Sequence, residues 1–185
     1  MRATPTLPSG PEVLLRGGSD RRLTQGLVAL SVHVVDDGRA TAEVEVTGHP
    51  EGVTLKGAKV GASTLAIRLT ADEDDFIGGV TEVETRLVAG AAPTTVLRAD
   101  GTARVADSAT AVTLTFGAEI QSGSVRRRAG GTIARCRATA PGLRHGSRIT
   151  LATPGRGADA DLEVVEIWHR FDAAHGLWVE LVART

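Results

Sequence analysis

Aromatic side chains are scarce in this chain. Its 185 residues hold two tryptophans, three phenylalanines and no tyrosine. No stacking platform for sugars or bases is therefore evident, and core volume must come from Val, Leu, Ile and Ala. Cysteine is scarcer still. Cys136 stands alone, which excludes an internal disulfide and a Cys-rich zinc module. An excess of one charge is also lacking: 21 basic and 22 acidic residues leave a net charge of −1. A nucleic-acid partner needs a concentrated basic field, so none is expected. No apolar run reaches the length of a membrane span. The Pro-rich start, Met1 to Pro11, has no apolar core of signal-peptide length, so the expected site of assembly is the cytoplasm.

What is present reads as β-structure. Hydrophobic residues make up 42% of the chain, enough for a real core. Residues 1–12, with Pro5, Pro8 and Pro11, read as an extended arm. Arg22 to Leu30 predicts a short helix capped by Asp20, with Leu23, Leu27 and Leu30 on one face. Beyond it the period changes to two. Ala42, Val44 and Val46 alternate with Thr41, Glu43, Glu45 and Thr47, and Leu65, Ile67 and Leu69 repeat the pattern. Between Phe76 and Leu87 the apolar phase flips from even positions (Phe76, Val80) to odd ones (Val83, Leu87), which predicts a bulge near Thr81–Glu82. Strands are also expected over 94–99, 111–116, 133–138, 148–151, 162–171 and 177–182, with turn chemistry at 36–38, 72–75, 89–93, 154–157 and 173–176. The stretch 48–62 reads as a long Gly-rich loop, and no fixed-period repeat is found. The expected class is an all-β barrel or sandwich that divides near Asp100–Ala109.

No catalytic constellation emerges. Gly155 to Ala160 matches a dinucleotide fingerprint formally, but Pro154 precedes it and a β-like segment follows, so it reads as a hairpin loop. Gly52 to Gly57 departs from a phosphate loop where Ala58 and Lys59 replace the Lys-Ser/Thr pair. Asp72 to Asp75 lacks the spacing of a calcium loop and reads as a solvated hairpin tip. His33, His49, His145, His169 and His175 form no metal-binding helical pair. Cys136 lies in a strand pattern between Arg135 and Arg137, as a buried structural thiol. Arg126 to Arg128, the one dense basic cluster, reads as a solvated loop or a subunit salt bridge. No catalytic residue, cofactor or metal is assigned.

The last third of the chain carries a resemblance. Pro141, Leu143, Arg144 and Gly146 lead into the strand 148–151; after a Gly-rich loop come Val164, Ile167, His169, Phe171 and Asp172, then Gly176 and a closing strand with Glu180. This order resembles the C-terminal part of phage late-control D proteins, the hubs of contractile tails, whose relatives occur in type VI secretion and extracellular injection particles. Leu14 to Val32 and Phe76 to Glu84 resemble the family's opening elements less specifically. The 185 residues are fewer than most members have, and they contain no spike repeat. The resemblance implies two small tail-tube-like barrels, over 13–100 and 101–185, with one short helix; a single elaborated barrel is the alternative. It implies a baseplate hub joining an inner tail tube to a spike. The implied partners are further copies of the chain in a trimer, the tube protein, the spike and other baseplate subunits. The motif residues named above are structural in that reading. The alternatives are a hexameric tube-terminator or adaptor, and, in other classes, a carbohydrate-binding sandwich or an enzyme.

Overall fold

The computed structural model describes residues 10–17, 20–48, 60–70, 73–107, 111–153 and 157–185, with backbone alone at 153 and 157–160. The early arm up to residue 9, the loop 49–59, Asp72 and the Gly155-Arg156 dipeptide lie outside the described residues. The chain is all-β, one curled sheet forming a half-barrel. A first set of strands comprises β1 (Glu12–Arg16), β2 (Arg21–Arg22), β3 (Leu27–Val35), β4 (Arg39–Thr47), β5 (Thr64–Arg68), β6 (Phe76–Arg86) and β7 (Thr94–Ala103). A second set comprises β8 (Val112–Thr115), β9 (Ile120–Arg128), β10 (Gly131–Ala138), β11 (Arg148–Thr153), β12 (Gly157–Asp172) and β13 (Gly176–Arg184). No helix among the described residues is long and apolar enough to cross a membrane.

The helix expected over 22–30 is not there. Only a 3-10 turn at Thr24–Gly26 interrupts extended chain, and β3 begins at Leu27. The three leucines have helical spacing, but Leu30, Val32 and Val34 alternate with Ser31 and His33, and pairing with neighbouring strands on both sides decides the outcome. The facing strand β4 buries Ala40, Ala42, Val44 and Val46 and turns Glu43 and Glu45 to the opposite face. The expected bulge is found: the register of β6 against β7 shifts between Val80 and Glu82. Leu87, placed inward by the sequence pattern, is 79% exposed because the strand has by then run past the core. Arg126 to Arg128 lie on strand β9 rather than in a loop.

The strand order runs β2-β1-β5-β6-β7-β4-β3-β12-β13-β10-β9, with β11 and β8 joined to β12 off this path. Each set thus has the same order, β1-β5-β6-β7-β4-β3 matching β8-β11-β12-β13-β10-β9. The correspondence holds residue by residue. Val80 faces Ala99, Val83 faces Leu97, Glu84 faces Val96 and Arg86 faces Thr94; 84 positions on, Val164 faces Ala183, Ile167 faces Leu181, Trp168 faces Glu180 and Arg170 faces Trp178. The bulge recurs between Val164 and Glu166. Both bulges are pinned alike, Val80 N donating to the Ser63 carbonyl and Val164 N to the Ser147 carbonyl, each at 2.9 Å. One difference stands out: β1 is antiparallel to β5, whereas β8 is parallel to β11.

A repeat is therefore present where none was found in the sequence. Its trace is Val80-x-Glu82-Val83-x-x-Arg86-Leu87 against Val164-x-Glu166-Ile167-x-x-Arg170-Phe171. Elsewhere the alternation alone is preserved, which identity-based inspection passes over. Val164 and Val80 are 0% and 1% exposed. Truncating either to alanine removes buried methyl groups and leaves a small cavity, at a cost of about 1–3 kcal/mol. Denaturant unfolding should give similar losses at the two sites with unchanged slope. A loss confined to one of them would contradict their equivalence.

Candidate functional site

One face of the sheet packs the core and the other is polar across eight strands, β6-β7-β4-β3-β12-β13-β10-β9. On the first set this face is glutamate-rich and organised by Arg98. Its guanidinium donates to Glu43 at 2.8 Å, to Glu82 at 2.6 Å and to Glu84 at 3.1 Å. Arg86 donates to Glu84 at 3.2 Å and to Glu45 at 3.4 Å, and the Thr94 hydroxyl donates to Glu45 at 2.8 Å. The bond from Arg86 holds the Glu84 carboxyl below the usual range, and Glu43, then Glu82, raise the Arg98 guanidinium. Four carboxylates around two arginines leave this half of the face acidic.

The other half is basic at equivalent positions. Glu43 and Glu45 oppose Arg98 and Val96, while Arg135 and Arg137 occupy the matching places opposite Val182 and Glu180. Arg126 and Arg128 follow on β9, exposed and without a carboxylate partner among the described residues. Arg137 stacks on Trp178 at 4.6 Å, and Arg170 donates to Glu180 at 3.2 Å. Where the sets meet, His33 stacks flat on Trp168, with centroids 4.4 Å apart, and its Nε2 bonds Glu166 at 2.9 Å. A shallow groove of about 440 Å³ runs over Arg135, Arg137, Glu166, Trp168 and Glu180. Cys136, between Arg135 and Arg137, turns to the core face beneath it, and burial pushes its thiol up to about 11, which keeps it protonated and poorly nucleophilic. Among the described residues no group of three or more His, Cys, Asp or Glu is placed to hold a metal ion.

The residues that carry the late-control D resemblance fall elsewhere. Pro141, Leu143, Arg144 and Gly146 form the turn before β11, where Gly146 takes φ +82°, a region open to glycine. Leu143, Val164 and Ile167 are buried, and Phe171 packs against the core opposite Leu177. Asp172 accepts the amides of Ala174 and His175 and so shapes the turn that Gly176 closes with φ +75°. Glu180 reaches the polar face, as the acceptor from Arg170.

Arg144 holds the two sets together. It donates to the Asp75 carboxylate, to Thr70 Oγ1 at 2.9 Å and to the carbonyls of Pro141 and Leu143 at 2.6 and 2.8 Å. Asp75 in turn accepts the Leu69 amide at 2.6 Å. Reading Asp72 to Asp75 as a solvated tip is thus corrected: Asp75 is 4% exposed, and Asp74 pairs with Arg16 and Arg68. No local pattern reveals this, because the partners lie on different strand sets. His169 is buried nearby, and burial, then the Arg144 charge, lowers it to about 3.

No protein-family model matches the chain, and no curated protein does either. Its structure is similar to the tail protein from Neisseria meningitidis MC58, with TM-score 0.67 and 8% identity over 95% of this chain and 97% of that one. The chain shares its overall fold with that tail protein. The prophage MuSo2 43 kDa tail protein from Shewanella oneidensis matches with TM-score 0.61 and 8% identity, over 93% of this chain and 96% of that one. The E. coli c3393 protein, a type VI secretion component similar to the T4 tail proteins gp27 and gp5, matches with TM-score 0.63 and 8% identity, over 85% and 73%.

Arg144→Ala strands a buried carboxylate and should destabilise the chain by about 3–5 kcal/mol in denaturant unfolding. A loss below about 1 kcal/mol would deny the pair its clamping role. His169 yields a pH signature. Its folded value lies below the ordinary 6.5, so its contribution is intact above pH 6.5 and is lost as pH falls toward 3. His169→Leu should flatten the decline of the thermal midpoint between pH 6.5 and about 5, where carboxylates are still ionised. An unchanged slope would contradict the buried neutral imidazole.

Proposed function

We propose that the chain is a non-catalytic baseplate hub subunit of a contractile phage-tail-like injection particle, joining the inner tail tube to the spike. The doubled strand set on one continuous polar face carries this reading. Each set would form one tube-like barrel, 13–100 and 101–185, so three chains offer six similar units to a hexameric tube. A tube lumen needs a hydrated, charged lining, and the Arg98–Glu43–Glu82–Glu84 network with its basic counterpart supplies one. Similarity to tail proteins and to a type VI secretion component supports the same role. The partners are further copies of the chain, the tube protein, the spike and other baseplate subunits, with assembly in the cytoplasm.

Two features speak for structure rather than chemistry. The groove over Cys136 is lined by no histidine, and the thiol is held protonated. The His33–Glu166 pair is engaged in stacking and pairing across the junction of the sets.

Copy number tests the proposal. A particle reconstruction should show three chains around the axis, each giving two similar barrels between tube and spike. Six chains, each giving one barrel to the ring, would favour a tube adaptor. A monomer at every concentration, with no place in a tail-like particle, would overturn the hub reading.

A further inference from the structure

The contact between copies has a template inside the chain. β12 pairs with β11 only as far as Glu163 and, beyond its bulge, offers its free edge to β3. There Ile167 faces Val34, Trp168 faces His33, Arg170 faces Ser31 and Phe171 faces Leu30, antiparallel. β6 repeats this arrangement: it pairs with β5 only as far as Gly79, bulges, and continues to Arg86. Among the described residues no strand takes the edge of β6 beyond Val80. The counterpart of β3 is β9, since Val125 and Ser124 oppose Ala134 and Arg135 as Val32 and Ser31 oppose Ala42 and Glu43. β9 ends the strand order, and every residue after Ile120 is exposed. Among the described residues each chain therefore carries an unpaired donor strand, β9, and an unpaired acceptor edge on β6.

We propose that β9 of one copy adds antiparallel to the open edge of β6 in the next, repeating the β3–β12 junction. The proposal rests on the ring reading above and specifies its contact. Carrying the register over puts Glu84 opposite Arg126 of the neighbouring copy, Glu82 opposite Arg128, and Leu87 opposite Gly123. The charges match at both positions. Inside the chain His33 reaches diagonally to Glu166 at 2.9 Å; the equivalent residues are Arg126 and Glu82, again of opposite charge. The junction would also cover Leu87, Val88 and Val125, which are 79%, 67% and 38% exposed. An open strand edge next to exposed apolar groups is a pairing site that a lone subunit leaves unprotected. Donor and acceptor differ, so the contact is head-to-tail and closes into a ring when the curvature allows.

Charge reversal tests it. Arg126→Glu with Arg128→Glu alters exposed residues and should leave the fold intact by circular dichroism. It should weaken self-association at least about tenfold by mass photometry, because like charges then face each other. Glu82→Arg with Glu84→Arg should do the same, and combining all four reversals should restore most of the association. Register is read independently by oxidation: Glu84→Cys with Arg126→Cys should link neighbouring copies, since directly opposed side chains lie within disulfide reach. Glu84→Cys with Ser122→Cys should not. If the wild-type chain assembles but the reversals have no effect, or the off-register pair links instead, the junction is wrong and the ring reading stands. If the wild-type chain never assembles, alone or with tail partners, both fall.

Discussion

Backbone donors and acceptors at a strand edge must find partners, and this constraint organises the whole chain. β12 is longer than the partner available to it in β11. Its second half would be left open, and β3 from the other strand set fills that edge. The junction converts two sets of the same order into one sheet with a core on one face and charge on the other. The buried Arg144–Asp75 pair then ties the sets a second time, on the side away from the polar face. A buried ion pair is a weak source of net stability but a demanding one in geometry. Its role here is to fix how the two sets meet.

The polar face follows from the same geometry. Alternation sends every second residue of eight strands to one side, so the charges of both sets share a surface despite wide separation in sequence. The two sets use equivalent positions with opposite sign: Glu43 and Glu45 in one, Arg135 and Arg137 in the other. A chain with an overall charge of −1 thus carries an acidic half and a basic half. That division is invisible to composition.

Much of the local structure was legible. The phase flip between Val80 and Val83 marked a bulge because a side chain must change faces when one residue is inserted. The hairpin 162–182 was readable from Val164, Ile167, Asp172 and Gly176, whose alternation and turn chemistry agree. β3 was misread because Leu23, Leu27 and Leu30 mimic a helical stripe, and a short apolar run carries both periods. β9 escaped notice because it buries only Ile120 and so shows no inward stripe. Asp75 looked like one more solvated carboxylate in a run of four acidic residues. Its burial depends on Arg144, 69 residues away.

The sequence by itself determined most of the segments that extend, where they turn and, in the strands with a clear alternation, which residues face inward. Those properties follow from side-chain period and from turn residues, which act over a few positions. Only the tertiary structure decided which strand lies beside which, that the two sets repeat one order, and which charges meet. Strand neighbours are joined through backbone groups that are nearly the same for every residue, so little in the local sequence names a partner. What selects it is the fit of many buried side chains at once, and that fit exists only once the sheet has closed around its core.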